Sequence, residues 1–331
     1  MVPTQLTTTD YLEGIRSRDR VILGRALTLV ESNRPEHRRQ AQELLAALLP
    51  WSGDGHRIGL SGVPGAGKST FIESFGCRLV NEGHSVAVLA VDPSSSRSRG
   101  SILGDKTRME RLASLDEAFI RPSPSGGSLG GVGRKTRESI LVCEAAGFDV
   151  VLVETVGVGQ SETLVADMVD VYVVLMISGA GDELQGIKRG LLELSDIIAV
   201  NKADGANRAA ASRTRAELEA ALQIFRPPGH AAWDPRIVTC SALEGSGLDE
   251  IWQLVREHRK TLEKMGIFEA KRREQRLQWM WSTVDDELMA QVRRHEGIRR
   301  LVGELEDGVR SGKITATAAA ERILRAFGVE I

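Results

Sequence analysis

Cysteine is scarce in this chain of 331 residues, and so are aromatic side chains, at 4%. Its cysteines, Cys77, Cys143 and Cys240, stand far apart and are odd in number. They form no CxxC pair, so neither a disulfide framework nor a cysteine-rich zinc site is expected, and a reducing, cytoplasmic compartment is. Charge of one sign is not in excess either. Lys and Arg number 43 against 45 Asp and Glu, a formal net charge of −2, which provides no basic field for nucleic acid. No apolar run approaches the roughly 20 residues that span a bilayer; the longest is Val171–Ile177. Asp10, Glu13 and Asp19 among Arg16, Arg18, Arg20 and Arg25 argue against a signal peptide. No membrane partner is expected.

What is present falls into three stretches. Residues 1–55 read as helices, with apolar faces from Val21, Ile22, Leu23, Ala26, Leu27 and Leu29, then from Ala41, Leu44, Leu45, Leu48 and Leu49. Residues 56–264 alternate short apolar runs with helix-length segments. The runs are Arg57–Ser61, Ser85–Val91, Glu117–Arg121, Asp149–Glu154, Val171–Ile177, Asp196–Asn201 and Arg236–Ser241. They are continuously apolar rather than alternating, as strands buried on both faces of a parallel sheet are. Repeated βα units predict an α/β, doubly wound, mainly parallel sheet flanked by helices. Residues 265–331 carry no strand signal: one long charged helix from Ala270 to about His295, then two helices broken at Ser311-Gly312. Trp279 and Trp281 on so polar a helix lie either against the main domain or against a partner chain.

The phosphate signal comes first. Gly62-Val-Pro-Gly65-Ala66-Gly67-Lys68-Ser69 fits GxxxxGK[ST], followed by Thr70, after one expected strand and before a helix. That context is where backbone N–H groups and a helix N-terminus cradle phosphates, with Lys68 on the β- and γ-phosphates and Ser69 on Mg²⁺.

The base signal follows. Asn201-Lys202-Ala203-Asp204 ends an apolar strand and fits NKxD. Guanine presents N1–H and N2–H₂ as adjacent donors, which the Asp204 carboxylate can accept; adenine would leave that carboxylate unpaired. Ser241-Ala242-Leu243, after the next strand, fits the SAx element that supports the base through its backbone. Together with the P-loop they predict GTP and GDP as ligands and GTP hydrolysis as the reaction.

Four further positions bear on the γ-phosphate. Glu154-Thr-Val-Gly157 reads as DxxG with Glu in place of Asp: Glu154 toward Mg²⁺ through a water, the Gly157 N–H toward the γ-phosphate. Val158 occupies the place of the Ras-type water-orienting Gln, with Gln160 two residues further on, so intrinsic hydrolysis is expected to be slow and to need a partner or a rearrangement. Asp92 and Asp105 flank the Ser-, Arg- and Gly-rich loop Ser94–Gly104; they read as carboxylates near Mg²⁺ and the attacking water, against a turn aspartate and a helix N-cap. Lys188 reads either as a lysine delivered to the γ-phosphate as a cis finger or as an ordinary exposed helix residue. His37, His56, His84, His230, His258 and His295 show no paired spacing and read as packing or surface residues, and Cys77 and Cys143 as small apolar fillers.

Longer stretches carry a family resemblance. Val91-Asp-Pro-Ser-Ser95, Gly100–Met109, Ile120-Arg-Pro-Ser-Pro, Leu129–Thr136 and Glu154–Glu162 resemble the MeaB-like (MMAA/ArgK-type) G proteins of the dimerising SIMIBI class of P-loop GTPases. The resemblance runs through residues 56–264, and the helical extensions fit it. Ser96-Arg-Ser-Arg99 departs from it, where Pro-Phe-Thr-Gly-like sequence is expected, and puts the movement of the first switch in question. The resemblance implies a GTPase chaperone of adenosylcobalamin-dependent methylmalonyl-CoA mutase that gates cofactor delivery and protects or reactivates the enzyme, with a cobalamin adenosyltransferase as a further partner. It implies Lys68 and Ser69 for phosphate and Mg²⁺, Asp92, Asp105 and Glu154 around the metal, Asn201, Lys202 and Asp204 for guanine, and the C-terminal helices as a homodimer arm. The alternatives are a nickel or cobalt metallochaperone GTPase, which should carry a Cys/His motif absent from this sequence, a small-molecule or protein kinase, and a scaffold with a vestigial site.

Overall fold

The computed structural model describes residues 6–91, 109–122, 129–155, 161–178, 189–225 and 232–330. Three helices come first: α1 (Thr8–Arg16), α2 (Arg20–Val30) and α3 (Pro35–Leu48). Thr7 and Asp10 form a capping box on α1, and the Asp19 carboxylate accepts from the Val21 and Ile22 N–H groups that start α2. Val21 and Leu49, both expected on apolar faces, are instead 71% and 57% exposed. Val21 starts α2 off its buried stripe, and Leu49 begins the single turn ahead of Pro50.

The strands are β1 (His56–Gly62), β2 (Val86–Val91), β3 (Ala118–Arg121), β4 (Val150–Thr155), β5 (Val171–Ile177), β6 (Ile197–Asn201) and β7 (Arg236–Thr239). They form one sheet in the order β3-β2-β4-β1-β5-β6-β7, with every neighbouring pair parallel. Between them come α4 (Lys68–Asn81), α5 (Glu110–Ala113), α6 (Leu129–Ala145), α7 (Ser161–Ala166), α8 (Arg189–Leu194) and α9 (Arg208–Phe225). After β7 follow α10 (Leu248–Lys264), α11 (Ile267–Arg294), α12 (Glu296–Arg310) and α13 (Ala316–Phe327).

The continuously apolar strands serve two cores by alternation. Val151, Val153, Val174 and Met176 point to one face, with Leu23, Leu27 and Leu44 of α2 and α3 and Ile140 of α6. Val150, Leu152, Val173 and Leu175 point to the other, with Phe71 and Phe75 of α4 and Ile251 and Val255 of α10. Strand order reverses beside β1, and the carboxyl ends of the strands at such a switch point are where open α/β sheets bind ligands.

The chain divides into two compact units, Met1–Gln275 and Arg276–Ile331. In the first, the root of α11 is held by a buried ion pair. Arg272 donates from Nε and Nη2 to both Asp170 carboxylate oxygens, at 2.8 and 2.7 Å, and from Nη2 to Gly55 O at 2.8 Å. Lys271 Nζ reaches Asp170 O at 2.6 Å. These arginine bonds hold the Asp170 carboxyl below its ordinary pKa although burial pushes it up. In the second unit, α12 and α13 pack together around Ile298, Leu305 and Ala319, while Leu277, Trp281 and Leu288 of α11 stand exposed and Trp279 is half-buried. Among the described residues no helix is long and apolar enough to cross a membrane.

Candidate functional site

β1 runs through buried Leu60 and Ser61 into Gly62, where the P-loop begins. A Cβ at Gly62 would stand 2.4 Å from the Leu175 carbonyl of neighbouring β5, so only glycine lets the loop leave the sheet there. At Gly67 the chain takes φ 84° to open α4, and a Cβ would crowd Asn201 Nδ2 at 3.0 Å. Lys68 and Ser69 thus occupy the first turn of α4, beside its positive end. Lys68 Nζ reaches back to donate to Gly62 O at 2.9 Å. Burial lowers the Lys68 pKa, and the carboxylates of Glu154 and Glu162 oppose that shift. Glu154, on β4, is therefore within electrostatic reach of the P-loop lysine and is itself buried. The next residue, Thr155, donates from Oγ1 to Ser61 Oγ at 2.9 Å, which ties the end of β4 to β1.

The NKxD segment is tied to the GxxxxGKS loop by one side chain. Asn201, buried at the end of β6, donates from Nδ2 to Ala66 O at 2.8 Å. Its Oδ1 accepts from Ala242 N at 3.0 Å and from Cys240 Sγ at 3.6 Å. One carboxamide thereby fixes the phosphate loop and the Ser241–Leu243 segment to each other. Asp204 is held by the second segment: Ser241 Oγ lies 2.5 Å from Asp204 Oδ2 and accepts from Glu244 N at 3.0 Å. Lys202, between them, is exposed with φ 59°.

The structure thus brings together Gly62, Gly65, Ala66, Gly67, Lys68, Ser69, Glu154, Asn201, Lys202, Asp204, Ser241 and Ala242 at the carboxyl ends of β1, β4, β6 and β7. Thr70 is exposed on α4, and Leu243 is 81% exposed. Asp92, Asp105, Gly157, Gln160 and Lys188 lie outside the described residues. Two contributors carry no motif. Asn207 donates from Nδ2 to Lys202 O at 2.7 Å and accepts at Oδ1 from Ser178 Oγ at 2.8 Å, pinning the Lys202–Asp204 turn to the end of β5. In the sequence Cys240 is one of three scattered thiols; burial pushes its pKa up to about 12, so it acts as an S–H donor and not as a thiolate.

Known proteins share this sequence and fold. The family described as "Methylmalonyl Co-A mutase-associated GTPase MeaB" matches residues 23–297. A putative GTPase of Caulobacter vibrioides is 56% identical over 94% of this chain and 95% of its own length. The Mus musculus protein "Methylmalonic aciduria type A homolog, mitochondrial" is 42% identical over 98% of this chain and 84% of its own. Among solved structures, one titled "LAO/AO transport system kinase" superposes with a TM-score of 0.77 at 38% identity, over 99% of this chain and 100% of that one. With its GxxxxGKS and NKxD segments assembled on a parallel sheet, the chain belongs to the MeaB family of P-loop GTPases.

Proposed function

We propose that this protein is a GTP-driven chaperone of adenosylcobalamin-dependent methylmalonyl-CoA mutase, gating cofactor delivery to the mutase and protecting or reactivating it. Membership of a mutase-associated family carries the partner; the Asn201 and Asp204 contacts support the choice of guanine nucleotide. Asp204 accepts N1–H and N2–H₂ of the base, with Ser241, Ala242, Leu243 and Lys202 around it. Backbone N–H groups of Gly62 and Gly65–Thr70 and the Lys68 ammonium hold the phosphates, Lys68 releasing Gly62 O to do so.

Mg²⁺ fits the donors present. The Ser69 hydroxyl and the Glu154 carboxylate are hard oxygen ligands, and no cluster of three or more His, Cys, Asp or Glu suited to an all-protein cage occurs among the described residues. Asp92 and Asp105 are assigned to complete that set. Bound there, the ion would neutralise charge on the β- and γ-phosphate oxygens. Lys68, Gly157 and Lys188 donate to the γ-phosphate oxygens, and Asp92 orients the attacking water.

A loop that reads the γ-phosphate becomes a partner switch when the mutase binds the GTP and GDP states with different affinity. The C-terminal helices form a homodimer arm, in which a second copy covers the exposed Leu277, Trp281 and Leu288 stripe. The domain division at 55/56 and 264/265 and a cytoplasmic setting belong to the same reading. Titration of mutase with the protein bound to GDP or to a non-hydrolysable GTP analogue tests it. Affinities that differ between the two states support the switch; no binding in either state removes the chaperone role.

A further inference from the structure

The Ser241–Leu243 segment is held from two directions. On the NKxD side, Ala203 N donates to Cys240 O at 2.9 Å, Ser241 Oγ meets Asp204, and Ala242 N donates to Asn201 Oδ1. From α4 comes a further bond that no motif announces: Ser74 donates from Oγ to Ala242 O at 2.6 Å. Ala242 is therefore fixed at both its N–H and its carbonyl. Beyond it, Arg78 of α4 pairs with Asp249 in the first turn of α10.

The Ser74 bond sets a direction. The peptide bonds are trans, so the Leu243 N–H lies in the plane of the Ala242 carbonyl and antiparallel to it. With that carbonyl aimed at α4, the Leu243 N–H is aimed away from α4. Its neighbours are spent inside the protein: Ser241 N donates to Ser246 O at 2.9 Å, Gly245 N to Ser241 O at 2.8 Å and Glu244 N to Ser241 Oγ at 3.0 Å. The Leu243 N–H has no acceptor among the described residues. Packing does little to orient this peptide. Ala242 is buried, but Leu243 and Glu244 are exposed, and a cleft of about 360 Å³ opens between them and α4.

We infer that Ser74 is a positioning residue for guanine selectivity: by fixing the Ala242 carbonyl it aims the Leu243 N–H at the oxygen on C6 of the base. On the guanine edge that oxygen adjoins N1–H, so its donor has to stand beside the carboxylate that accepts N1–H. Ser241, two residues before Leu243, is the group that holds that carboxylate. An amino group at C6, as in adenine, would meet the same N–H as donor against donor. The inference rests on the assignment of Asp204 to the guanine edge. Ser74 stands more than a turn beyond Lys68 and Ser69 on α4, so its effect belongs to the base and not to the phosphates.

The test is calorimetric titration with GDP and with 6-thioguanosine diphosphate, which keeps N1–H and N2–H₂ but carries at C6 a sulfur, a weaker acceptor. The wild type should prefer GDP. Ser74→Ala should raise the GDP Kd about fivefold, the scale of one hydrogen bond, and leave the Kd of the thio analogue within about twofold, so that the preference narrows. Ser74→Thr keeps the hydroxyl and should bind GDP within about twofold of wild type. Alanine suits a helix, and general damage would weaken both nucleotides alike. That outcome, an unchanged GDP Kd in Ser74→Ala, a Ser74→Thr no tighter than Ser74→Ala, or a wild type indifferent between the two nucleotides overturns the proposal. Asp204→Asn separates the two levels. Wild-type GDP affinity in that variant defeats the underlying assignment, whereas weak Asp204→Asn beside an unaffected Ser74→Ala defeats only the positioning role.

Discussion

Ser241 Oγ sits 2.5 Å from Asp204 Oδ2 while accepting the Glu244 N–H at 3.0 Å. Because the backbone N–H occupies a lone pair, the single hydroxyl proton of Ser241 is directed to the carboxylate. Asp204 is thereby held as an acceptor before any base arrives, so less ordering remains to be done on binding.

Removing that hydroxyl should weaken nucleotide binding without changing the fold. Ser241→Ala is expected to raise the GDP Kd roughly tenfold, from the loss of about 1–2 kcal/mol in a charge-assisted bond, and Ser241→Thr to retain most of the affinity. Asp204→Asn should cost more, since its amide N–H₂ would face donors of the guanine edge; xanthine, with an oxygen at C2, should bind that variant better than guanine does. Calorimetric titration with both bases checks each value.

Lys68→Ala should lower GTP affinity far more than Thr70→Ala. Lys68 is half-buried in the first turn of α4, whereas Thr70 is exposed. Equal losses in the two variants, by fluorescent-nucleotide binding, would contradict the phosphate assignment.

The Arg272–Asp170 pair predicts a stability effect remote from the nucleotide. Both side chains are buried, and removing one leaves the other charge uncompensated. Arg272→Ala should therefore cost about 3–5 kcal/mol, seen as a lowered denaturation midpoint in urea. A change within experimental error would show that α11 is not rooted there.

His56 gives the stability a definite pH dependence. Burial, with the nearby Arg259 charge adding to it, pulls its pKa from 6.5 down to about 4. The unfolded chain then takes up a proton that the folded chain refuses, so stability is complete above pH 6.5 and falls as pH drops toward 4, by on the order of 3 kcal/mol at most. His56→Gln should remove that part of the acid sensitivity, measured as the midpoint difference between pH 7 and pH 4.5.

The exposed stripe on α11 predicts assembly. Trp281→Glu or Leu288→Glu should convert a dimer into a monomer in sedimentation, because each side chain is more than half exposed on the isolated chain. A wild-type monomer at micromolar concentration in both nucleotide states would remove the proposed arm.

Much of this was legible because the signals are local. The seven strands show as apolar runs since each is buried on both faces; β5 falls at Val171–Ile177 as read, and each other strand differs at one or both ends by a residue or two. The P-loop and Asn201–Asp204 are contiguous motifs, and their strand-end placement follows from the βα alternation. The ties among them are not local. Nothing near Cys240 or Asn207 indicates that the first supports Asn201 and the second is held by Ser178, because these contacts join the ends of separate strands. Arg272 misleads in the opposite way. Within Lys271-Arg-Arg273 it reads as part of a solvated charged face, yet it is buried on Asp170, a partner about a hundred residues earlier.

The most direct measurement is single-turnover GTP hydrolysis by the purified protein, alone and with methylmalonyl-CoA mutase. Slow turnover alone and a marked rise with the mutase is the expected result, since in the sequence Val158 follows Gly157 where Ras-type enzymes carry the water-orienting Gln. Slow turnover that the mutase leaves unchanged would keep the GTPase and contradict the chaperone role.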